Sequence, residues 1–331
     1  MNPPIISVTR PVGQAWERMK AILFRPFDAA KWFTIGFCAW LALLGRRGFN
    51  FNFNFHEPRN VSEEQVREAI WRIRDYVVSH LYWIIPVALL LLAVGLTVWV
   101  CLTWLNSRGA FMFLHCVARN RAEVVDPWKQ YRREGNSLFG FRLVLTLVSM
   151  AVTLPLMILI AWHLVRMFLA DAWDAGGILR VVGIGLVWIG LAILFGLVGK
   201  LTNDFAVPLM FRRRLDWRGG WAAVWHLVTA YPGEIILYLL FQIVLAIAIA
   251  MVVVAAVVAT CCLAGCIMAL PYLGTVLLLP VLVFSRSYSL FYLAQFGPDW
   301  DAFISVEPPT IAGGGSPAQP PAVDPADPPT P

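Results

Sequence analysis

The chain has 331 residues, of which 59% are hydrophobic and only 14% charged, with a net charge of +6 and a mean hydropathy of +0.69. Soluble domains carry roughly 45–50% apolar and about 25% charged residues, so this composition excludes an ordinary soluble globular fold. It fits a polytopic α-helical membrane protein, and because the basic residues flank the apolar runs, they point to anionic lipid rather than nucleic acid as the partner.

In chain order, the N-terminal stretch lacks the continuous apolar core and small-residue cleavage site of a secretory signal, so the first apolar run is expected to serve as an uncleaved anchor. Val12, Trp16, Met19, Leu23 and Phe27 recur at helical spacing, which predicts an amphipathic helix at the inner interface. The first run, about 27–45, has an uncharged part of only 14 residues (32–45), a length that suits a re-entrant or interfacial segment as well as a span. For it to span, Lys31 would snorkel toward the headgroups.

Next, residues 49–55 alternate Phe and Asn, as in an edge strand able to join a partner's sheet or a loop dipping its rings into the interface. Ser62 and Gln65 resemble a capping box, opening a helix whose apolar face runs into the second span. Residues 49–80 therefore form either an interfacial element packed on the protein itself or a docking surface for a protein partner.

Four intervals contain no Asp, Glu, Lys or Arg: 76–107, 143–165, 181–199 and 235–285. A span needs about 20 mostly apolar residues. The last interval, 51 residues long, holds two spans joined near Leu263–Gly265. This yields spans at about 81–105, 143–165, 181–199, 235–260 and 267–285. If 27–45 also spans, Lys and Arg divide 18 against 8 between the two sides; if it does not, they divide 13 against 13. The positive-inside rule then favours six spans with both termini in the cytoplasm.

The layout repeats three times. Trp16, Trp128 and Trp225 each sit in an amphipathic stretch ahead of two apolar runs, which exit through the segments 107–113, 203–209 and 285–291. The expected fold is thus all-α: six transmembrane helices arranged as three hairpin repeats with interfacial helices over 1–297. Residues 298–331 form a tail with 10 prolines and no Lys or Arg, expected to be disordered and cytoplasmic.

Candidate chemistry is sparse. The five spans within these intervals hold no charged side chain, and their histidines, His80 and His163, lie at or near span ends, which argues against ion-coupled transport. Asn106, Gln242, Thr146, Ser149 and Thr153 are read as interhelical hydrogen-bonding residues. Ala192 with Gly196, Ala246 with Ala250 and Ala255 with Ala259 place small residues one turn apart, which predicts that spans four and five pack inside the bundle. Pro86, Pro155, Pro271 and Pro280 interrupt spans, as ordinary kinks or as breaks exposing backbone to a substrate.

Cys261, Cys262 and Cys266 match no metal-ligand spacing and read as small residues in a turn. Asp171 and Asp174 read as a solvated turn rather than a hard-cation site. There is no nucleophile elbow, phosphate-binding loop or zinc-helix motif, so neither catalysis nor a cofactor or metal is expected. Arg212, Arg213, Arg214, Arg132 and Arg133 are the candidate contacts to anionic lipid.

Trp16, the segment Phe24-Arg25-Pro26-Phe27, the segment Lys31-Trp32-Phe33, the Ser107-Arg108-Gly109 exit and the six-span layout resemble uncharacterised prokaryotic integral membrane proteins similar to the membrane domain preceding some glycerophosphodiester phosphodiesterases. The resemblance covers about 10–296 and implies a membrane location. Those enzymes carry a separate soluble catalytic barrel, for which this chain has no room. The expected function is a non-enzymatic scaffold, assembly factor or accessory subunit of the cytoplasmic membrane; the alternative is a transporter or lipid-handling protein for a neutral or amphiphilic substrate.

Overall fold

A computed structural model describes residues 6–45, 68, 71–72, 74–76, 78–169, 174–260 and 263–303. Among them there are helices and no strand. The order is α1 (Arg10–Leu23), α2 (Ala29–Leu43), α3 (Leu81–Arg119), α4 (Val125–Gln130), α5 (Arg132–Leu169) and α6 (Ala175–Leu201). A π-helical turn (Thr202–Ala206) leads into α7 (Val207–Arg213), α8 (Trp217–Ala230), α9 (Pro232–Ala259), α10 (Leu263–Ala269), α11 (Pro271–Leu277), α12 (Leu279–Ala294) and a 3-10 turn at Pro298–Trp300.

Local chemistry sets the boundaries. Asp28 caps α2 by accepting from the backbone N–H groups of Ala30 and Lys31 at 2.9 and 3.3 Å. Asp174 caps α6 through the N–H of Gly177 at 3.2 Å, so this acid belongs to a helix start. Pro11, Pro232 and Pro271 occupy first-turn positions, where a missing N–H costs nothing.

Two prolines further along reshape their helices. Pro208 cannot donate to the carbonyl of Asp204, and the turn before it widens so that Val207 N–H reaches Thr202 O, five residues back. Pro280 likewise frees the carbonyl of Val276, and α11 and α12 meet there at 63°. The indole N–H of Trp32 takes that carbonyl at 3.1 Å, tying α2 to the break.

Four helical stretches are long and apolar enough to cross a membrane: α3, α5, α6 continued through α7, and α9. The bent pair α11–α12 makes a fifth if counted as one span. In each of the four, none of the most apolar 18-residue window is buried. α2, with 15 residues and about 22 Å of length, falls short of a hydrocarbon core about 30 Å thick. Lys31 donates to Asn120 Oδ1 at 2.9 Å, so it has a partner within the protein.

The core lies where the long helices end. α3 changes environment along its length, exposed or half-buried through Leu105 and buried from Asn106 to Ala118. α2 runs antiparallel to that buried part, with Leu41 and Ala42 beside Gly109 and Cys38 beside Cys116. A Cβ on Gly109 would lie 2.5 Å from Leu41 C and 2.6 Å from Ala42 N, so only glycine permits this crossing. A second cluster gathers Phe205, Tyr238, Tyr288 and Tyr292, with the Tyr238 and Tyr292 rings 4.5 Å apart.

The three exit segments, 107–113, 203–209 and 285–291, therefore form the centre of the molecule rather than leading out of it. α3, α5 and α6 lie side by side, whereas α9 joins the core through Ile235 and Tyr238 and then diverges from them.

Several expectations are corrected. The small-residue pairs of α6 and α9 are exposed, and no heavy atom lies within 4 Å of a Cβ built on Gly196, so these helices are not packed inside the bundle. Small residues permit close approach without supplying a neighbour. Of the expected α1 stripe, Met19 and Leu23 are buried beside Ala15 and Ile22, while Trp16, 52% exposed, and Phe27 face outward. Trp225 of α8 also points out, at 66% exposure. Thr146 and Thr153 donate within α5, to Arg142 O and Ser149 O, and make no interhelical bond. Residues 49–55, Ser62, Gln65, Asp171, Cys261, Cys262 and the tail from 304 lie outside the described residues; Cys266 is a free, exposed thiol.

Candidate functional site

The charges that bound the apolar intervals come together. Arg108, Arg142, Lys200 and Arg286 each end one interval, and each sits where the exit segments meet. Asn106 of α3 ties α2 and α5 to its own helix, donating to Ala42 O and Leu44 O at 2.7 and 2.9 Å and accepting from Arg142 Nη1. Arg142 Nη2 donates to Asn203 Oδ1 at 2.6 Å, and Arg286 Nη1 donates to Asn203 O at 2.6 Å. The widened turn ahead of Pro208 carries both Asn203 and Asp204.

Asp204 Oδ2 receives Lys200 Nζ at 2.6 Å and Tyr238 OH at 3.0 Å, and Gln242 Nε2 donates to that Tyr238 oxygen at 2.9 Å. A cavity of about 140 Å³ opens beside these groups, lined by residues of α2, α3, α6, the π turn, α9 and α12. Asn106 bonds between helices, as its place at a span end implies. The four cations have the sequence positions of loop residues, since an interval without charge stops by construction at the first one.

Arg108 lies one step aside, 7% exposed, sandwiched 4.5 and 4.7 Å from the Trp104 and Trp128 ring centroids and bonded through Nη2 to Asn136 Oδ1 at 3.1 Å. Trp128, expected as an interfacial anchor, thus covers a buried cation.

Of the five candidate lipid-contact arginines, three are engaged by protein. Arg213 pairs with Asp299 at 3.1 Å, Arg133 with Asp216 at 3.4 Å, and Arg214 stacks over Tyr131 at 4.1 Å while donating to Gln130 O at 2.9 Å. Arg212 is half-buried and Arg132 is exposed. Near Tyr131, His115 is 10% exposed at its side chain. Burial, then Arg119, Arg121 and Arg214, lower its pKa to about 4. Glu123, 3.9 Å away, is too distant for a hydrogen bond and does not reverse this.

A second concavity of about 690 Å³ lies between α1, α9 and α12, walled by Trp16, Met19, Phe24, Ala248, Ile249, Val252, Pro280, Val281 and Phe284, with Lys20 and Arg25 in its lining. No group of three or more His, Cys, Asp or Glu suited to a metal occurs among the described residues.

Fold and site define an all-helical protein with four to five helices long and apolar enough for a membrane, joined around a polar centre. The chain belongs to a family of unknown function (DUF7544), which it matches over residues 6–279. No curated protein and no solved structure matches it.

Proposed function

We propose that this chain is a multi-pass protein of the cytoplasmic membrane that binds and handles a membrane lipid with an anionic headgroup and catalyses no reaction itself. The observation that carries this is the groove between α1, α9 and α12. Its apolar walls suit acyl chains, and its volume lies within the range of small-molecule sites, roughly 300–1,000 Å³. Lys20 and Arg25 supply positive charge for a headgroup, and Trp16 is a residue type favoured at the interface. Glu17 bonds Lys20 at 2.6 Å, which holds its carboxyl below the usual range and leaves Arg25 as the groove's main attraction for an anion. With Arg213 and Arg214 engaged elsewhere, headgroup contact moves to this groove, with Arg132 as a peripheral contact.

Native mass spectrometry of protein purified with a mixture of phosphatidylglycerol and phosphatidylcholine tests the reading. Retention of phosphatidylglycerol, lost in Arg25→Gln and in the groove-filling Ala248→Trp, is expected; equal retention by all three proteins would sink it.

A second reading, a scaffold or accessory subunit, is supported by the C-terminal half of α9, where Ile247, Met251, Val254 and Val258 are exposed. A stoichiometric partner in mild-detergent purification would favour it, and a lone monomer would count against it.

Six spans in three hairpins, with both termini cytoplasmic, remain our proposed topology, supported by the 18-to-8 division of Lys and Arg. Because α2 runs beside the buried part of α3 and ends next to Asn106, this topology requires residues after 45 to complete the crossing. A cysteine introduced at Asn54 should label from outside; labelling only from the cytoplasm contradicts this topology.

A further inference from the structure

We infer that the cavity at the polar centre is a binding site for a small oxyanion, a phosphate or carboxylate group. It shares no lining residue with the groove of α1, α9 and α12, so it stands apart from the lipid reading. Small side chains, Ala39, Ala42 and Ala110, leave its space of about 140 Å³. A water molecule occupies about 30 Å³ of liquid, so the space suits one tetrahedral or planar oxyanion with a little water.

The lining carries two cations, Lys200 and Arg286, against one carboxylate, Asp204. That carboxylate is engaged through Oδ2, which holds both Lys200 Nζ and Tyr238 OH, and its side chain is 13% exposed against 42% for that of Lys200, so the lysine side chain is the more accessible member of the pair.

Ser285 adds a hydroxyl to the same lining, together with the Gln242 amide, which donates to Tyr238 OH at 2.9 Å and accepts from Lys200 Nζ at 3.5 Å. Behind Asn203, Arg142 contributes further positive potential. Cations set among low-dielectric walls focus an attractive field on anions, and a guanidinium's planar fork matches two oxygens of a phosphate or carboxylate. The same lining disfavours a metal cation, because its one carboxylate is already engaged by an ammonium.

The test uses the full-length protein in phosphatidylcholine nanodiscs, titrated with inorganic phosphate at constant ionic strength while thermal unfolding is followed. A second arm replaces free phosphate with phosphatidic acid in the nanodisc, which distinguishes a dissolved ion from a lipid headgroup. A saturable rise of a few degrees is expected in at least one arm, and it should vanish in Arg286→Gln. Because Arg286 also holds the Asn203 carbonyl, Ser285→Leu serves as the second variant. It fills the cavity with every charge retained and should unfold at the wild-type temperature without responding to either ligand. Arg25→Gln, in the separate groove, should keep the response. No saturable rise in either arm, or a rise that survives in Ser285→Leu, overturns the inference.

Discussion

The first long helix, α3, contains two different materials. From Leu81 to Leu105 it presents apolar side chains outward, and from Asn106 to Ala118 it is buried against α2, α5 and α12. Hydropathy alone does not separate these halves, since the buried half includes Phe111, Met112, Phe113 and Leu114. What separates them is small and polar chemistry: Asn106, Ser107, Arg108 and Gly109 mark the point where helix neighbours replace the outer environment.

Glycine substitutions break the comparison most sharply. Gly109→Val drives a side chain into the backbone of α2, and a loss of more than about 3 kcal/mol is expected, seen as aggregation or failure to purify as a monodisperse species. Gly95→Val lies in the same helix with nothing within 4 Å of its Cβ, and should leave the unfolding temperature unchanged. Equal sensitivity at both positions would erase the distinction between the halves.

A smaller effect is expected at the polar centre. Asp204→Asn removes the carboxylate shared by Lys200 and Tyr238, with a cost of about 2 kcal/mol after allowing for the partial exposure of Lys200. Thr146→Val, on the outward half of α5, removes only a bond to its own helix and should cost under about 0.5 kcal/mol.

A further effect is titratable. His115 has a native pKa of about 4 against about 6.5 when unfolded, so the native state binds fewer protons between these values. Its stabilising contribution is complete above about pH 6.5 and is lost as the pH falls toward 4, by about 1–2 kcal/mol once solvent screening is allowed for. Melting of wild type and His115→Gln at pH 7.5 and pH 4.5 reads this directly: the wild type should lose more, and identical slopes would show that His115 is not held neutral.

Much of the architecture was legible from residue order. The long apolar helices follow from intervals without charge and the bend near Pro280 from a missing N–H, whereas Asp174, which reads in the sequence as a solvated turn, caps α6. The three exit segments were visible as a repeat, but not that they meet, because convergence depends on contacts between residues 61 and 83 positions apart. The same limit hid the polar centre. Arg108, Arg142, Lys200 and Arg286 read as the ends of spans, and one-dimensional spacing does not tell a loop cation from one sharing an asparagine with another helix.

The stripe of α1 divides between two environments that spacing alone does not separate: Met19 and Leu23 pack inward, while Trp16 faces out. Likewise, small residues in α6 and α9 record a capacity for close approach that nothing among the described residues uses.

The claim on which the account rests is that the apolar outer stretches meet lipid while the ends of the same helices form the protein's core. Photolabelling with a lipid-phase diazirine in nanodiscs, followed by peptide mapping, tests it without altering the sequence. Label should concentrate in 81–98, 144–165, 178–194 and 236–258 and be absent from 106–118 and 205–211. Comparable labelling of 106–118 would contradict the account.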